Sequence, residues 1–377
     1  MSAPRVLALV GELDGCHLWR ILQPFTELQK QGYTAEWGYR DDDRLGKIVH
    51  RFDAVILPRL HWPPEEKANA DRWFDALHDA GKAIIYEVDD DLMSDDLVRR
   101  LVVLHQHSQR TAEQIRSAVL YTMGRADGVT VSSQRLATIV RSYTDKPVAV
   151  VPNYIDLPWF QAVQAQAERK VDSLCIGWAG GLRPDADVEM MAQAWQRTCE
   201  RFPQVTFLVQ GHQAAAITER IPESRRVAVD WLPIHAYPIG LKNIDIGCCP
   251  LTNTPFNRAK TPIKSMEYAA SGAAVVASPI IYSQIIHDGL DGYLCESVDQ
   301  WETALATLVQ SADVRQRLAQ RLLTNVKKSH TLQKNVWRWP YAWSQIVDDY
   351  HRRQPRKRVV VPHWTTRKNS CATQSSS

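Results

Sequence analysis

The feature that most limits what this chain can fold into is a regular alternation of short apolar runs with longer amphipathic stretches, and it occurs twice. In the first half, Val6–Val10, Ala54–Leu57, Ala83–Val88, Gly128–Val131 and Val148–Val151 read as buried strands. Between them, Leu18–Gln31, Lys67–Ala80, Leu97–Met123 and Gln134–Tyr143 carry helical spacing. Strands separated by helices need crossover connections, and crossovers give a parallel sheet with helices on its faces. A second series begins near Ser173, with strands at Leu174–Trp178, Thr206–Gln210, Val227–Val229, Ile244–Cys249 and Ala274–Ala277. Its helices fall at Val188–Arg201, Thr261–Ala270, Asp299–Leu308 and Ser311–Lys328. The polar segment Gln161–Lys170 separates the two series and reads as the connection between domains.

The sequence is therefore read as an α/β chain with a first domain at 1–165 and a second at 166–335. Its 377 residues suffice for two separate cores. The aromatic stretch Trp337–Tyr350, with Trp339, Tyr341 and Trp343, is expected to form a helix within 336–353 that returns to the first domain. Residues 354–377 are expected to be a basic disordered tail.

Composition narrows the function classes. A chain with 45% hydrophobic and 23% charged residues has the balance of a soluble globular protein. No run approaches the roughly 20 apolar residues of a membrane span. The N-terminus lacks the flanks of a signal peptide, so a cytoplasmic location is expected. None of the seven cysteines pairs in a C-x-x-C spacing, which argues for core thiols rather than a zinc or redox site. Net charge is only +3, and the basic character is local, at Arg352–Arg358 and Arg367-Lys368. That tail reads as a solvated terminus, or as a contact for anionic lipid or DNA.

The most informative stretch runs from Asn257 to Ser278. A loop containing Lys260 leads into a helix with Pro262 in its first turn, followed by Lys264 and Glu267. The amides near Thr261, Pro262 and Ile263 sit at a helix start, where unpaired N–H groups and the positive dipole end favour a diphosphate. Glu267 lies about one and a half turns on, where a carboxylate can accept from both hydroxyls of a ribose. Gly272 closes the helix before a buried strand. A purely structural helix–Gly–strand unit explains Gly272 and the valines, but not Lys260, Lys264 and Glu267 together.

This stretch resembles the nucleotide-sugar-binding segment of the GT-B glycosyltransferases, in particular the retaining GT4-like group. Val129-Thr130-Val131-Ser132-Ser133 followed by Val150-Val151-Pro152-Asn153-Tyr154-Ile155-Asp156 is similar to the end of that family's N-terminal domain. Ile176-Gly177-Trp178-Ala179-Gly180-Gly181 resembles the opening of its donor domain, and Asp245–Leu251 the strand before its donor loop. The likeness runs from about Arg5 to Tyr350. It implies two Rossmann-like domains facing across a cleft, a nucleotide-sugar donor held by the C-terminal domain, retention of anomeric configuration, and neither a cofactor nor a stable metal site. Two departures stand out. Position 259, eight before Glu267, is Ala where many members have glutamate, and Tyr154 replaces a frequent glycine.

Within that frame Arg183, beside Gly180 and Gly181, joins Lys260 and Lys264 as an electrophilic clamp on the leaving diphosphate. A surface arginine beside Pro184 is the plainer reading of Arg183. The acceptor would come from the N-terminal face, near the Gly11–Gly15 loop with Gly15, His17 and Arg20, and near Asp89-Asp90-Asp91, where the resemblance makes Asp89 a candidate catalytic residue and Asp90 and Asp91 acceptor-side. For these three acids, acceptor or sugar contact, helix capping and metal binding all remain open. The expected activity is sugar transfer to a glycan or lipid-linked acceptor in surface polysaccharide synthesis. Transfer to a modified base of DNA, or a catalytically silent scaffold, are the alternatives. No hydrolase elbow, P-loop or dinucleotide fingerprint is visible.

Overall fold

The computed structural model describes residues 3–353 except 12, 14 and 43. The expected basic tail, 354–377, lies outside the described residues. Two six-stranded sheets form, all of their ladders parallel. The first holds β1 (Val6–Val10), β2 (Ala35–Tyr39), β3 (Ala54–Pro58), β4 (Ala83–Val88), β5 (Gly128–Val131) and β6 (Val148–Val150), in the order β2-β1-β3-β4-β5-β6. The second holds β7 (Cys175–Gly180), β8 (Thr206–Gly211), β9 (Arg226–Val229), β10 (Ile246–Cys249), β11 (Ala274–Ala277) and β12 (Tyr293–Leu294). Its order is β12-β11-β10-β7-β8-β9.

The continuous apolar runs follow from burial on both faces. Along β1, Leu7 and Leu9 join one core cluster while Val6 and Ala8 join another on the opposite face. The second face of the first sheet is covered by Ile21 and Phe25 and by Trp339, Trp343 and Ile346 of the last helix, Arg338–Arg353. Phe25 meets Trp343 edge-on at 5.6 Å. The chain reaches that position through a bridge of Ile155 with Thr331, where the Leu332 N–H donates to the Ile155 carbonyl at 2.8 Å.

Three elements differ from the sequence reading. The edge strand β2 and the two-residue β12 were not anticipated. The stretch read as one helix, Leu97–Met123, is two: Asp95–His105 ends at Gln106 in the left-handed region (φ 55°), and Ser108 caps a new start at Gln109. The helix Leu157–Ala165, capped by Asp156 accepting from the Trp159 N–H, runs into the first half of the segment Gln161–Lys170 read as the connection. Among the described residues no helix is long and apolar enough to cross a membrane.

Each sheet reverses its winding once, between β1 and β3 in the first and between β7 and β10 in the second. Loops at the carboxyl ends of such strands are where ligands gather in open α/β sheets. Those loops here carry Gly11 and Leu13, Arg59, Gly181–Arg183 and the segment from Pro250 to Lys260.

Candidate functional site

A cavity of about 450 Å³ opens where the two halves meet. From the first half it is lined by Leu13, Gly15 and Trp19, and from the second by Gly180, Gly181, Trp231, Lys264 and Glu267. Glu267 is 2% exposed, on helix Ile263–Ala270. Its Oε2 accepts from Lys264 Nζ at 2.6 Å and from the Tyr237 hydroxyl at 2.8 Å. Lys264 Nζ also reaches the Tyr237 oxygen at 2.5 Å. Burial and the Glu267 charge push the Tyr237 phenol well above its ordinary range, so it stays a donor. Both bonds to Glu267 use Oε2, and among the described residues Oε1 receives no hydrogen bond.

The wall opposite Glu267 is shaped by glycines. The Gly211 φ is +90°, and a Cβ there would lie 2.6 Å from the Gly180 carbonyl. Trp231, 67% exposed, lies over Gly181, where a Cβ would stand 3.4 Å from the indole. Beneath the site the Tyr268 hydroxyl accepts from the Ala179 N–H at 2.9 Å, tying the Glu267 helix to β7.

A second cluster joins the two halves. Arg59, at the end of β3 with φ +50°, donates through Nε to Asp89 at 2.5 Å and through Nη2 to Asp90 at 2.7 Å. Lys260 Nζ donates to Asp90 Oδ1 at 2.8 Å, an ion pair between the halves. Burial alone would raise the Asp90 carboxyl, but Lys260 and Arg59 hold it down at about 2. Asp91 acts locally, accepting from the Met93 and Ser94 N–H groups at 3.2 and 3.0 Å ahead of helix Asp95–His105. Among the described residues no group of three His, Cys, Asp or Glu side chains is placed to hold a metal.

The donor loop is built into the first half. Ala259 is fully buried within the first half's core cluster, and the Ser133 hydroxyl donates to its carbonyl at 2.6 Å. Asn153 Nδ2 donates to the Thr261 hydroxyl at 3.0 Å. Asp187 holds the loop's other end, accepting from the Thr252 N–H at 3.1 Å and from Asn257 Nδ2 at 2.7 Å. Pro262 caps the helix and Ile263 is its first residue, so the turn begins two residues later than read.

The remaining candidates divide. Gly15 is exposed at the cavity mouth, whereas His17 is 6% exposed and Arg20 only 2%. Arg20 lies beneath the loop rather than in open cleft. Its Nε donates to Glu87 at 2.7 Å, and its Nη1 donates to the Val151 carbonyl at 2.6 Å and to Asn153 Oδ1 at 2.7 Å. Arg183 folds over the Trp178 ring at 5.2 Å, and its buried Nε has no partner among the described residues. Trp231, Tyr237 and Arg59 were missed by the sequence reading. Arg59 was within reach of it, because it directly follows a buried strand at a switch point; Trp231 follows β9 two residues on. Nothing local marks Tyr237.

Two Rossmann-like sheets, their switch points facing across a shared cavity, define a GT-B fold. Residues 173–311 match the sequence model of the family described as Glycosyl transferases group 1. The chain is 29% identical over 175 residues to the putative teichuronic acid biosynthesis glycosyltransferase TuaH of Bacillus subtilis. That match spans 44% of this chain and 43% of the relative. Among solved structures, Anabaena HepE in complex with UDP and glucose superposes with a TM-score of 0.63 at 14% identity, covering 91% of this chain and 100% of HepE. Sucrose-phosphate synthase from Thermosynechococcus elongatus gives 0.61 at 14% identity, over 91% of this chain and 99% of that one.

Proposed function

We propose that the protein transfers a sugar from a nucleotide-sugar, with UDP as the first candidate nucleotide, to a hydroxyl of a surface glycan or its lipid-linked precursor. The observation that carries this reading is Glu267, buried at the inner wall of the interdomain cavity with Lys264 and Tyr237 fixing one oxygen and the other left over. That arrangement suits a ribose diol, whose two hydroxyls need a desolvated acceptor. Trp231 over Gly181 offers a flat apolar surface for the base. Lys264, Arg183 and the start of helix Ile263–Ala270 supply positive charge beside the ribose position, where the diphosphate would lie. As the bond from the anomeric carbon to the diphosphate breaks, its electron pair stays on the diphosphate, and these groups stabilise that charge. The acceptor oxygen bonds to the same carbon and its proton passes to an oxygen of the departing diphosphate.

In this reading the leaving group is stabilised by cations and amides of the chain without a metal, and configuration is retained as the family resemblance implies. The acceptor enters from the side of Gly15 and the Asp89–Asp90 cluster. The relative from Bacillus supports a cell-surface polymer as acceptor, and the reaction is placed in the cytoplasm, at the inner membrane face when the acceptor is lipid-linked. Calorimetric titration with a panel of nucleoside diphosphates tests the donor site. Selective binding, weakened about tenfold or more in Glu267→Ala, is expected from the loss of a charged hydrogen-bond partner. Well-folded protein that binds no nucleotide would sink the assignment.

A further inference from the structure

One phenyl ring carries a cation from each half of the molecule. Arg100, on helix Asp95–His105 of the first half, lies with its Cζ 4.0 Å from the Phe256 ring centroid. Lys260, of the second half, lies with its Nζ 4.5 Å from the same centroid. The two differ in what answers their charge. Lys260 is met by Asp90, whereas Arg100 makes no hydrogen bond and no ion pair among the described residues.

The carboxylates around Arg100 are already engaged. Asp90 is shared by Arg59 and Lys260, Asp187 is bonded by Thr252 and Asn257, and Asp96 is bonded by Arg99. Arg183, from the other half, is close enough to add to the positive field at Arg100, and it too has an N–H without an acceptor. Burial holds the Arg100 guanidinium below its ordinary range. A guanidinium nevertheless keeps its charge in a protein. Asp90 and Asp187 offset the repulsion of Arg183 at Arg100, but neither takes its donors, so two partly desolvated guanidiniums, one from each half, are left with N–H groups that the oxygens of an anion can satisfy.

We propose that Arg100 is a substrate-binding residue that takes phosphoryl oxygens in the cleft, together with Arg183. The planar fork of five donors fits such oxygens in a way that a lone ammonium does not. The phosphoryl group belongs either to the diphosphate of the donor, in which case the inference rests on the function proposed above, or to a phosphorylated acceptor. With the donor as occupant, Arg100 gives the diphosphate a contact from the acceptor half, so that holding the leaving group and closing the cleft become one event.

The test is calorimetric titration of wild type, Arg100→Gln and Arg100→Lys with UDP, uridine and inorganic pyrophosphate. Arg99→Gln is the control for net charge, since Arg99 is exposed and paired with Asp96. Arg100→Gln is expected to lose about tenfold in affinity for a phosphoryl ligand, with uridine unaffected, Arg100→Lys intermediate and Arg99→Gln like wild type. A loss for UDP identifies the donor diphosphate, and a loss for pyrophosphate alone identifies a phosphoryl group of the acceptor. Equal binding of UDP and pyrophosphate by wild type and Arg100→Gln overturns the proposal, as does wild type that binds neither. Wild type that binds pyrophosphate but neither UDP nor uridine would remove the donor reading while leaving the pyrophosphate comparison to decide on Arg100. Arg100 is only half-buried, so an unchanged melting temperature is expected to certify the variants as folded.

Discussion

Glu87 and Arg20 are an ion pair with side chains 1% and 2% exposed, and the cost of that burial falls on the carboxyl. Burial raises it from 4.5 to about 7, against the pull of Arg20 and the hydrogen bonds from Arg20 and Thr130. Between those two pH values the folded state keeps a proton that the unfolded chain has released. The contribution to stability is therefore full below about pH 4.5 and declines as pH rises to about 7. Glu87→Gln removes the titration, so the stability of wild type relative to this variant is expected to fall between about pH 5 and about pH 7.5. Urea unfolding at both ends checks it, and a pH-independent difference would show that the carboxyl is not raised. The same scale shows what sequence reasoning reached. The spacing of Lys264 and Glu267 on one helix was legible, because both belong to a single turn. The partition of Asp89, Asp90 and Asp91 was not, because it depends on Arg59 and Lys260, which lie 30 and 170 residues away from the acids they bind.

At the scale of elements, the parallel strands were legible because burial on both faces leaves uninterrupted apolar runs. The edge strand β2 was not: its burial alternates and Trp37 and Tyr39 are exposed, so Ala-Glu-Trp-Gly-Tyr looks like loop. The break after His105 was hidden because Gln106 and His107 are ordinary helix residues, and only the left-handed turn at Gln106 ends the helix. A different constraint joins β10 to the donor helix. A Cβ at Gly247 would stand 2.3 Å from the Tyr268 ring, whose hydroxyl fixes the helix bearing Glu267 to β7. Gly247→Ala is therefore expected to cost about 1–3 kcal/mol, the usual range for overpacking. It should also weaken nucleotide binding, because the displaced ring moves Glu267's helix. Denaturant melts beside calorimetry check both, and intact stability with intact binding would show that the ring relaxes freely.

At the scale of the molecule, the last helix makes the two halves one object, since Trp339, Trp343, Ile346 and Tyr350 close a face of the first sheet. Trp343→Ala is expected to destabilise the protein by about 3–5 kcal/mol, as large core truncations do. Urea unfolding followed by the remaining tryptophans measures it, and a change under about 1 kcal/mol would mean that the helix is dispensable to that core. The two-domain plan was legible from the repeated series of strands and helices, and so was the aromatic stretch. What no local pattern recorded is how deeply the halves interlock, with Ala259 of the second seated in the core of the first.

That closure has a consequence for how the protein is made. Translation delivers the first sheet early, yet the tryptophans that seal it are added only after the whole second half has been polymerised. At roughly 5–20 residues per second, the strands of the first sheet wait many seconds with one apolar face covered only in part, by Ile21 and Phe25 of the first half. A nascent chain in that interval keeps part of its apolar surface exposed, and a translation pause before residue 339 prolongs it. The half that is born first is thus the last to be finished.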